Sequence, residues 1–407
     1  MKKRLICGLD IGAAKTCLSC ATIVGSGKLS HLVAESVPSA GIKDGKITDS
    51  KKVSSGIRAA LKKLSKINKI RVKRVYVNLD APDLRVKLSQ ARLAFKKRTL
   101  IKKSHIDQLL NSCIAGQVSL NRRIIHTGLR SFLLDQRSDS INPAGQLAEA
   151  LQLNIVLVSA PIPTIKTLVK SVNRAGLALE GIVPSGSAQA LAFFKHQPRE
   201  KDDLIIDLGS ALTKIYILQN RLLKDLVIIP HGAQEITQQI AVNFKLSFAC
   251  AEKLKVEYAR AHAERSNLTR KIIIKDNSVD KVVQLARLDQ VVASRVDNLL
   301  QEIKRALSGL DYKNEQLGQI VITGGGSALE GFLERADQVL GRSVKLGFLH
   351  SLPVGKIQAA SAVYATSVGL IYFALQNKAS ADFPGRFGFH PLIRTVNWAR
   401  DFYREYF

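Results

Sequence analysis

The sequence predicts an α/β protein with two duplicated halves that face each other across a ligand cleft. The evidence is a pair of similar units roughly two hundred residues apart. In each, an apolar strand ends in Asp-x-Gly and a second strand follows: Leu5–Leu9 leads into Asp10–Thr16, and Leu204–Ile206 leads into Asp207–Thr213. Strands alternating with helical periodicity elsewhere indicate the α/β class. A duplicated fold predicts a ligand between its halves.

The composition is that of a large, ordered and strongly basic protein. The 407 residues include 61 Lys and Arg against 33 Asp and Glu, a net charge of +28, and 46% are apolar. This composition excludes intrinsic disorder as the main state, and the length predicts two or three domains with sizeable cores. Since the 5 cysteines lie among apolar or small residues, we expect buried thiols and a reducing compartment.

Two apolar segments could be mistaken for targeting or membrane sequences. The first apolar run ends at Asp10 and is much shorter than the apolar region of a signal peptide, so we expect no export. Ile357–Leu375 carries no charge and is near the minimum length of a membrane span. Its polar residues favour a helix buried in a globular core instead.

Helices and strands alternate between the two units. Apolar residues at Val53, Ile57, Leu61 and Leu64 predict the first helix. A capping box formed by Ser104 and Asp107 predicts the start of the next. The further predicted helices are Ser104–Ala115, Thr164–Ala175, Glu235–Phe244, Cys250–Ala263 and Leu288–Leu307, and the predicted strands are Val75–Asp80, Asn154–Ser159 and Ile320–Thr323.

More than half of the positive charge lies in one segment. Lys43–Lys103 contains 20 Lys and Arg against 4 Asp and Glu. Such a segment is either a solvated lysine face or an electrostatic surface for lipid headgroups or nucleic acid. Only Tyr76 and Phe95 could stack on bases here, so we expect no nucleic-acid partner.

Three glycine-containing turns are the candidate ligand-binding motifs of the sequence. Asp10-x-Gly12 and Asp207-x-Gly209 end strands, and the strand Val321–Thr323 runs into Gly324–Gly326. Glycine lets backbone N–H groups approach phosphates, and a nearby carboxylate can hold a magnesium shell. Each group alone could be an ordinary tight turn, but the three together predict a nucleotide site.

These three segments, in this order, resemble the actin-like ATPase superfamily, with two phosphate hairpins and an adenosine loop. Within it the chain is most similar to the FtsA family of bacterial cell-division proteins, from about residue 4 to the C-terminus. The stretches that support this resemblance are Gly41–Asp49, Asn142–Gly145, Ala175–Leu177 with Pro184, Ile236–Ala241 and Ala251–Lys255.

The resemblance implies a duplicated actin-like (ribonuclease H-like) fold with an FtsA-type inserted subdomain and a C-terminal amphipathic helix. Gly- and Pro-rich composition marks a linker before that helix. The expected segments are 1–82 and 160–202 for the first half, 83–159 for the inserted subdomain, 203–375 for the second half, 376–391 for the linker and 392–407 for the helix.

The resemblance also implies a site for ATP and Mg²⁺. The phosphates and metal would be held from one half by Asp10, Gly12 and Lys15, and from the other by Asp207, Gly209 and Thr213. Asp10 and Asp207 would serve the metal. The residues expected at the ribose and base are Glu252 and Lys255, and those expected over the adenine are Gly324, Gly325 and Gly326.

Several positions depart from the family pattern. Ser210, Ala211 and Leu212 fill the second hairpin, where relatives carry more glycine. Lys214 and Gln239 stand where relatives carry acidic residues. The first hairpin has Ala13 and Ala14 instead of hydroxyl residues. Because phosphoryl transfer depends on positioned charge, we expect nucleotide binding with slow or absent hydrolysis.

The last residues predict an amphipathic helix with an aromatic-rich apolar face. Arg394, Asn397, Asp401, Arg404 and Glu405 take the opposite face. Behind a linker such a helix suits the membrane interface, although it could instead pack on its own domain. The residues expected in the membrane are Leu392, Ile393, Val396, Trp398, Phe402, Tyr403 and Phe407.

By resemblance, the expected function is to tether FtsZ filaments to the inner face of the cytoplasmic membrane and to recruit downstream division proteins at the septum. The implied partners are FtsZ, anionic lipids, downstream division proteins and further copies of the chain in an actin-like polymer. A pilus or secretion assembly ATPase related to FtsA is one alternative. Another is a catalytic sugar kinase or chaperone ATPase, which the altered second hairpin disfavours.

Overall fold

The computed structural model describes residues 4–24, 28–117, 119–135, 138–140, 142–194, 201–262, 270–310, 317–349 and 361–382. Its strands are β1 (Arg4–Ile11), β2 (Lys15–Val24), β3 (Lys28–Pro38), β4 (Ile42–Lys43), β5 (Lys46–Ile47), β6 (Arg74–Asn78), β7 (Arg85–Leu100), β8 (Arg122–Leu134), β9 (Ser138–Ser140), β10 (Leu147–Pro161), β11 (Ala178–Val183), β12 (Asp202–Leu208), β13 (Thr213–Gln219), β14 (Leu222–Ile229), β15 (Lys271–Asp276), β16 (Val279–Gln284), β17 (Leu317–Thr323) and β18 (Val344–Leu346).

The helices lie between the strands, as the alternating pattern predicts. They are α1 (Ser50–Asn68), α2 (Lys103–Ile114), α3 (Ile162–Arg174), α4 (Ser185–Phe193), α5 (Gln234–Phe244), α6 (Phe248–Tyr258), α7 (Leu285–Ser308), α8 (Phe332–Leu340) and α9 (Ser361–Asp382). A short 3₁₀ turn covers Gly325–Ala328. The predicted α/β class is therefore confirmed.

Two five-stranded sheets with the same topology form the two halves. The first has the order β11-β6-β1-β2-β3 and the second the order β18-β17-β12-β13-β14. In each, three strands form an antiparallel meander, and the first of them also pairs in parallel with a strand that returns later in the chain. The predicted duplication is thus a repeat of strand order and direction.

A separate antiparallel sheet, β7-β10-β8-β9, forms the inserted subdomain. The helix α2 packs on it, and Leu109, Phe132 and Leu153 lie in their shared core. The outer strand β7 exposes Arg85, Lys87 and further basic residues of the Lys43–Lys103 segment.

The start of α2 differs from the prediction. The helix begins at Lys103, and the N-cap residue is Lys102. His105 accepts a hydrogen bond from the Lys102 backbone N–H through Nδ1, at 3.2 Å. The predicted capping box of Ser104 and Asp107 is therefore wrong, because the helix begins earlier and His105, two residues before Asp107, bonds the N–H of the N-cap residue.

The last helix, α9, packs on the first half of the molecule. It contacts β1, β2, β6 and α4, and Leu370 and Ile371 are fully buried there. The prediction of a buried helix is right, but its assignment to the second half (203–375) is wrong. The helix also continues to Asp382, so residues 376–382 are helical rather than part of the predicted linker. Within the described part of the chain, no helix is long and apolar enough to cross a membrane.

The cysteines follow the sequence expectation. Cys7, Cys17, Cys20 and Cys113 are buried, and Cys250 is partly buried. All five are free thiols.

Glycines allow α9 to approach its neighbours closely. A Cβ atom added at Gly369 would lie 2.2 Å from the Ala188 carbonyl oxygen, which belongs to the backbone of α4. Gly369→Ala should therefore force α9 and α4 apart and lower the stability by about 1–3 kcal/mol. Thermal unfolding followed by circular dichroism would show this as a lower Tm.

Gly56→Ala in α1 is the matched control. Its added Cβ would have only ordinary contacts, the nearest at 3.7 Å from Thr16 Oγ1. This change should raise the stability by about 0.5–1 kcal/mol, because alanine favours helix. An unchanged Tm for Gly369→Ala would contradict the close packing of α9.

Candidate functional site

A cleft of about 510 Å³ lies between the two halves. Both predicted hairpins and the glycine segment line it. The cleft contains every residue predicted for the nucleotide site except Thr213, so it brings together Asp10, Gly12, Lys15, Asp207, Gly209, Glu252, Lys255, Gly324, Gly325 and Gly326.

The two hairpins have the same turn geometry. The Gly12 N–H donates to the Lys15 carbonyl and the Gly209 N–H donates to the Leu212 carbonyl, each at 3.0 Å. A Cβ added at Gly209 would lie 2.8 Å from that carbonyl oxygen, closer than real Cβ atoms come. The tight turn therefore requires glycine at this position in the second hairpin.

The glycine segment follows β17 at the edge of the cleft. Gly324 has a φ of +89°, and a Cβ there would lie 2.4 Å from the Leu208 carbonyl oxygen. Gly325 has more space, because the atom nearest to a Cβ added there would be Lys15 Nζ, at 3.6 Å. Lys15 belongs to the first half, so its ammonium group reaches across the cleft towards the second.

A polar cluster on α5 and α6 forms one wall. Lys255 Nζ donates to Glu252 Oε2 at 2.7 Å and to Thr237 Oγ1 at 2.8 Å. The Thr237 hydroxyl also donates to Glu252. These bonds fix Glu252 and Lys255 side by side, as expected of residues that act on one ligand.

An ion-pair cluster at the base of the cleft joins the two halves. Lys214 Nζ lies 2.8 Å from Asp207 Oδ2 and 2.8 Å from Asp80 Oδ2. Asp207 and Lys214 are direct partners in the register of β12 and β13, so their side chains share one face of the sheet. Asp80 comes from the first half, just after β6.

The charges in this cluster support one another. Burial alone lowers the pKa of Lys214, but Asp207 and Asp80 outweigh it and hold that pKa well above its usual range. Burial likewise raises the pKa of Asp80, but Lys214 outweighs it and the pKa is lowered. Lys214 and Asp80 are thus charged together at neutral pH.

Asp10 lies in the same part of the cleft but has a different electrostatic environment. Its Oδ1 accepts a hydrogen bond from Asn78 Nδ2 at 2.7 Å. Burial first, and then the carboxylates of Asp80 and Asp207, raise its pKa from 3.8 to about 7, although Lys214 opposes this. Asp10 is therefore only partly ionised at neutral pH.

Sequence reasoning missed Asp80, Asn78 and Gln189. Gln189 on α4 donates through Nε2 to Asp207 Oδ2 at 3.0 Å, so it links the halves a second time. Asn78 and Asp80 do carry a signal in the sequence. They end a strand parallel to β1, and the carboxyl ends of neighbouring parallel strands meet at one edge of a sheet.

Two predicted positions lie away from the cleft. Thr213 is fully buried, and its hydroxyl donates to the His231 carbonyl at 2.7 Å. Gln239 is exposed on α5 and does not line the cleft. The expectations that Thr213 binds phosphate and that Gln239 lies near it are therefore wrong. The predicted membrane residues in 392–407 lie outside the described part of the chain.

The carboxylates do not fit the expected metal site. Asp207 Oδ2 already accepts hydrogen bonds from both Lys214 and Gln189, and Asp80 Oδ2 is paired with the same lysine. Among the residues that the structure describes, no three His, Cys, Asp or Glu side chains form a group that could hold a metal ion. Asp10 and Asp207 thus lie where they were predicted, but a lysine stands where magnesium was expected.

The duplicated sheets, the cleft and the inserted subdomain define an actin-like protein. The fold is similar to MreB 5 of Spiroplasma citri bound to AMPPNP, with a TM-score of 0.54 and 12% identity over 94% of this chain and 99% of that one. It is also similar to a chain of the PilM-PilN type IV pilus biogenesis complex, with a TM-score of 0.64 and 16% identity over 91% of this chain and 98% of that one.

Sequence comparison identifies the family. Residues 204–369 match the family model of the cell division protein FtsA, and residues 82–159 match that of the SHS2 domain inserted in FtsA. The cell division protein FtsA of Pseudomonas aeruginosa is 24% identical over 92% of this chain and 90% of its own length. The chain belongs to the FtsA family.

The raised pKa of Asp10 predicts an unusual pH dependence of stability. Between about pH 4 and pH 7 the folded protein keeps a proton that the unfolded chain has lost. The contribution of Asp10 to the free energy of unfolding therefore falls as the pH rises through that window. Asp10→Asn removes this titration. The Tm of the variant minus that of the parent protein should therefore be higher at about pH 8 than at about pH 5.

Asp80→Asn is the control, measured in the same way without nucleotide. The pKa of Asp80 is lowered, so its contribution is stabilising above the ordinary carboxyl pKa. Its removal should lower the Tm by a similar amount at both pH values. If the Tm difference between Asp10→Asn and the parent protein were the same at both pH values, Asp10 would not be the titrating group.

Proposed function

We propose that this chain is an ATP-binding, actin-like division protein that attaches FtsZ filaments to the inner face of the cytoplasmic membrane and recruits downstream division proteins at the septum. One observation carries the nucleotide part of the proposal. Two glycine hairpins and a glycine segment, contributed by both halves, converge on one cleft. Membership of the FtsA family supports the cell-division part.

The lining of the cleft suits a nucleoside triphosphate. Lys15, Lys46, Lys214 and Lys255 supply positive charge, and glycine backbones supply N–H groups without side chains. A Cβ at Gly324 or Gly326 would collide with Leu208, so glycine is required where this segment packs on β12 at the edge of the cleft. A solved structure with this fold is described as bound to AMPPNP, which is consistent with a nucleotide here.

Hydrolysis should be slow or absent. The carboxylates of Asp80 and Asp207 at the base of the cleft are paired with Lys214. They are therefore not free to position a metal or an attacking water, and phosphoryl transfer depends on such positioning. We infer that nucleotide occupancy regulates assembly of an actin-like polymer.

Membrane attachment is assigned to the predicted amphipathic helix in 392–407. Its aromatic residues and arginines suit the headgroup boundary of anionic lipid. A single short helix binds weakly, so stable attachment requires several linked contacts. A polymer of many chains would supply them, and so would the exposed lysines of α1 and β7.

An assembly role in a pilus system is the second candidate. The structural similarity to a chain of the PilM-PilN complex favours it. The FtsA family models, including that of the inserted SHS2 domain, favour cell division. Binding of purified FtsZ to the chain would support division, and its absence would favour the pilus alternative.

ATP binding can be tested at Gly325. This residue has a φ that other residues adopt, and only Lys15 Nζ lies near its added Cβ. Gly325→Asp should therefore fold but place a carboxylate beside Lys15, where it competes with the phosphates for that ammonium group. We expect an ATP affinity at least about tenfold lower by isothermal titration calorimetry, or about 1.4 kcal/mol.

Gly325→Ser is the matched control, because it adds similar volume without charge. Its affinity should stay closer to that of the parent protein than the affinity of Gly325→Asp. If the folded parent protein showed no heat of ATP binding at all, the proposed nucleotide site would be refuted.

The anchor can be tested at Trp398. Trp398→Glu places a charge on the apolar face of the predicted terminal helix. Co-sedimentation with phosphatidylglycerol vesicles should fall at least about tenfold, since a charge opposes burial at the interface. ATP binding should be unchanged, and Trp398→Phe should retain membrane binding. Full co-sedimentation of Trp398→Glu would show that the anchor lies elsewhere.

A further inference from the structure

The buried lysine at the base of the cleft is the main departure from the expected site. We propose that Lys214 is the resident cation of this cleft and takes the place of a divalent metal, so that ATP binds without Mg²⁺. This inference rests on the proposed function, because it concerns how the same cleft accepts a nucleotide.

The position of the ammonium group is the first argument. It lies 2.8 Å from one carboxylate oxygen of each half, Asp207 Oδ2 and Asp80 Oδ2. The side chains of all three residues are only 9–11% exposed. A positive charge is thus already held between acidic groups from opposite sides of the cleft.

The hydrogen bonds around the carboxylates are the second argument. The Tyr216 hydroxyl donates to Asp80 Oδ1 at 3.2 Å and the Ser185 N–H donates to the same oxygen at 3.3 Å. Gln189 Nε2 donates a hydrogen bond to Asp207 Oδ2 at 3.0 Å. The carboxylates are therefore oriented towards Lys214 by neighbours from two elements of the fold, β13 and α4.

A magnesium ion would have to displace this arrangement. Mg²⁺ demands near-octahedral oxygen ligands at about 2.0–2.1 Å and gives up its water shell reluctantly. Lys214 cannot leave without losing two ion pairs, and removing one partner of a buried pair is strongly unfavourable. If Lys214 stayed, a divalent ion beside it would meet a like charge with little solvent to screen it.

Two further lysines of the cleft are the third argument. Lys15 reaches across the cleft towards Gly325, and Lys255 stands on the opposite wall beside Glu252. Together with Lys214 they line the cleft with ammonium groups from both halves. Lysine is a common phosphate ligand that acts as a point charge. Phosphates bound in the cleft would therefore meet lysine side chains from both halves.

The test measures ATP affinity in excess MgCl₂ and in EDTA, using calorimetry on the full chain. For the parent protein we expect the two affinities to agree within about threefold. Lys214→Gln removes the charge but keeps a polar side chain, and its ATP affinity in EDTA should fall at least about tenfold. Lys214→Arg retains the charge and should retain affinity in EDTA.

The outcomes separate the inference from the function on which it rests. Parent protein that binds ATP at least about tenfold more tightly with Mg²⁺ would overturn the inference and leave the nucleotide site intact. Equal ATP affinity of Lys214→Gln and parent protein in EDTA would also overturn it. Absence of ATP binding in both solutions would refute the proposed function itself. If Lys214→Gln does not fold, the two measurements on the parent protein still decide.

Discussion

The pairing of Lys214 with Asp207 and Asp80 is the constraint on which the geometry of the cleft depends. Asp80 lies in the first half, whereas Asp207 and Lys214 lie in the second, so the Lys214–Asp80 ion pair crosses between the two halves. Removing one partner would leave a buried charge unpaired, which is costly at low solvent exposure. The pairs consist of protein groups alone and therefore need no ligand to form. They set the spacing at which the two glycine hairpins face each other.

The duplication explains why one lysine can serve the whole site. Asp10 and Asp207 occupy equivalent positions, and each has a direct partner on the next strand. That partner is Lys214 in the second half but Cys17 in the first, whose burial raises the pKa of its thiol to about 12. A neutral thiol gives Asp10 no counter-charge. Burial is the first cause of the raised pKa of Asp10, and Lys214 and Lys15 are the groups that oppose it. Because the next strand supplies a charged partner only to Asp207, the two similar halves are electrostatically unequal.

The sequence predicts the parts of this structure that local patterns encode. Apolar strands ending in Asp-x-Gly identify both hairpins, and helical periodicity identifies most helices within a few residues. Packing between distant segments is not encoded locally. The attachment of α9 depends on close approach to the first sheet at Gly8 and to α4 at Gly369, which periodicity cannot reveal. The missed role of Asp80 likewise depends on tertiary structure, because its partner is more than one hundred residues away.

The error at Thr213 has a physical cause. A family motif predicts the role of a residue from its position in the sequence. In a β-strand, however, successive side chains point to opposite faces of the sheet, so adjacent residues cannot both reach the cleft. Thr213 points into the core towards the His231 carbonyl, and Lys214, the next residue, points into the cleft. The period of two could have predicted this, because Lys214 pairs with Asp207 and must share its face. A substitution from acid to lysine on that face does more than remove a metal ligand. It supplies the opposite charge at the same place, so the cleft keeps a cation while losing the position for a metal.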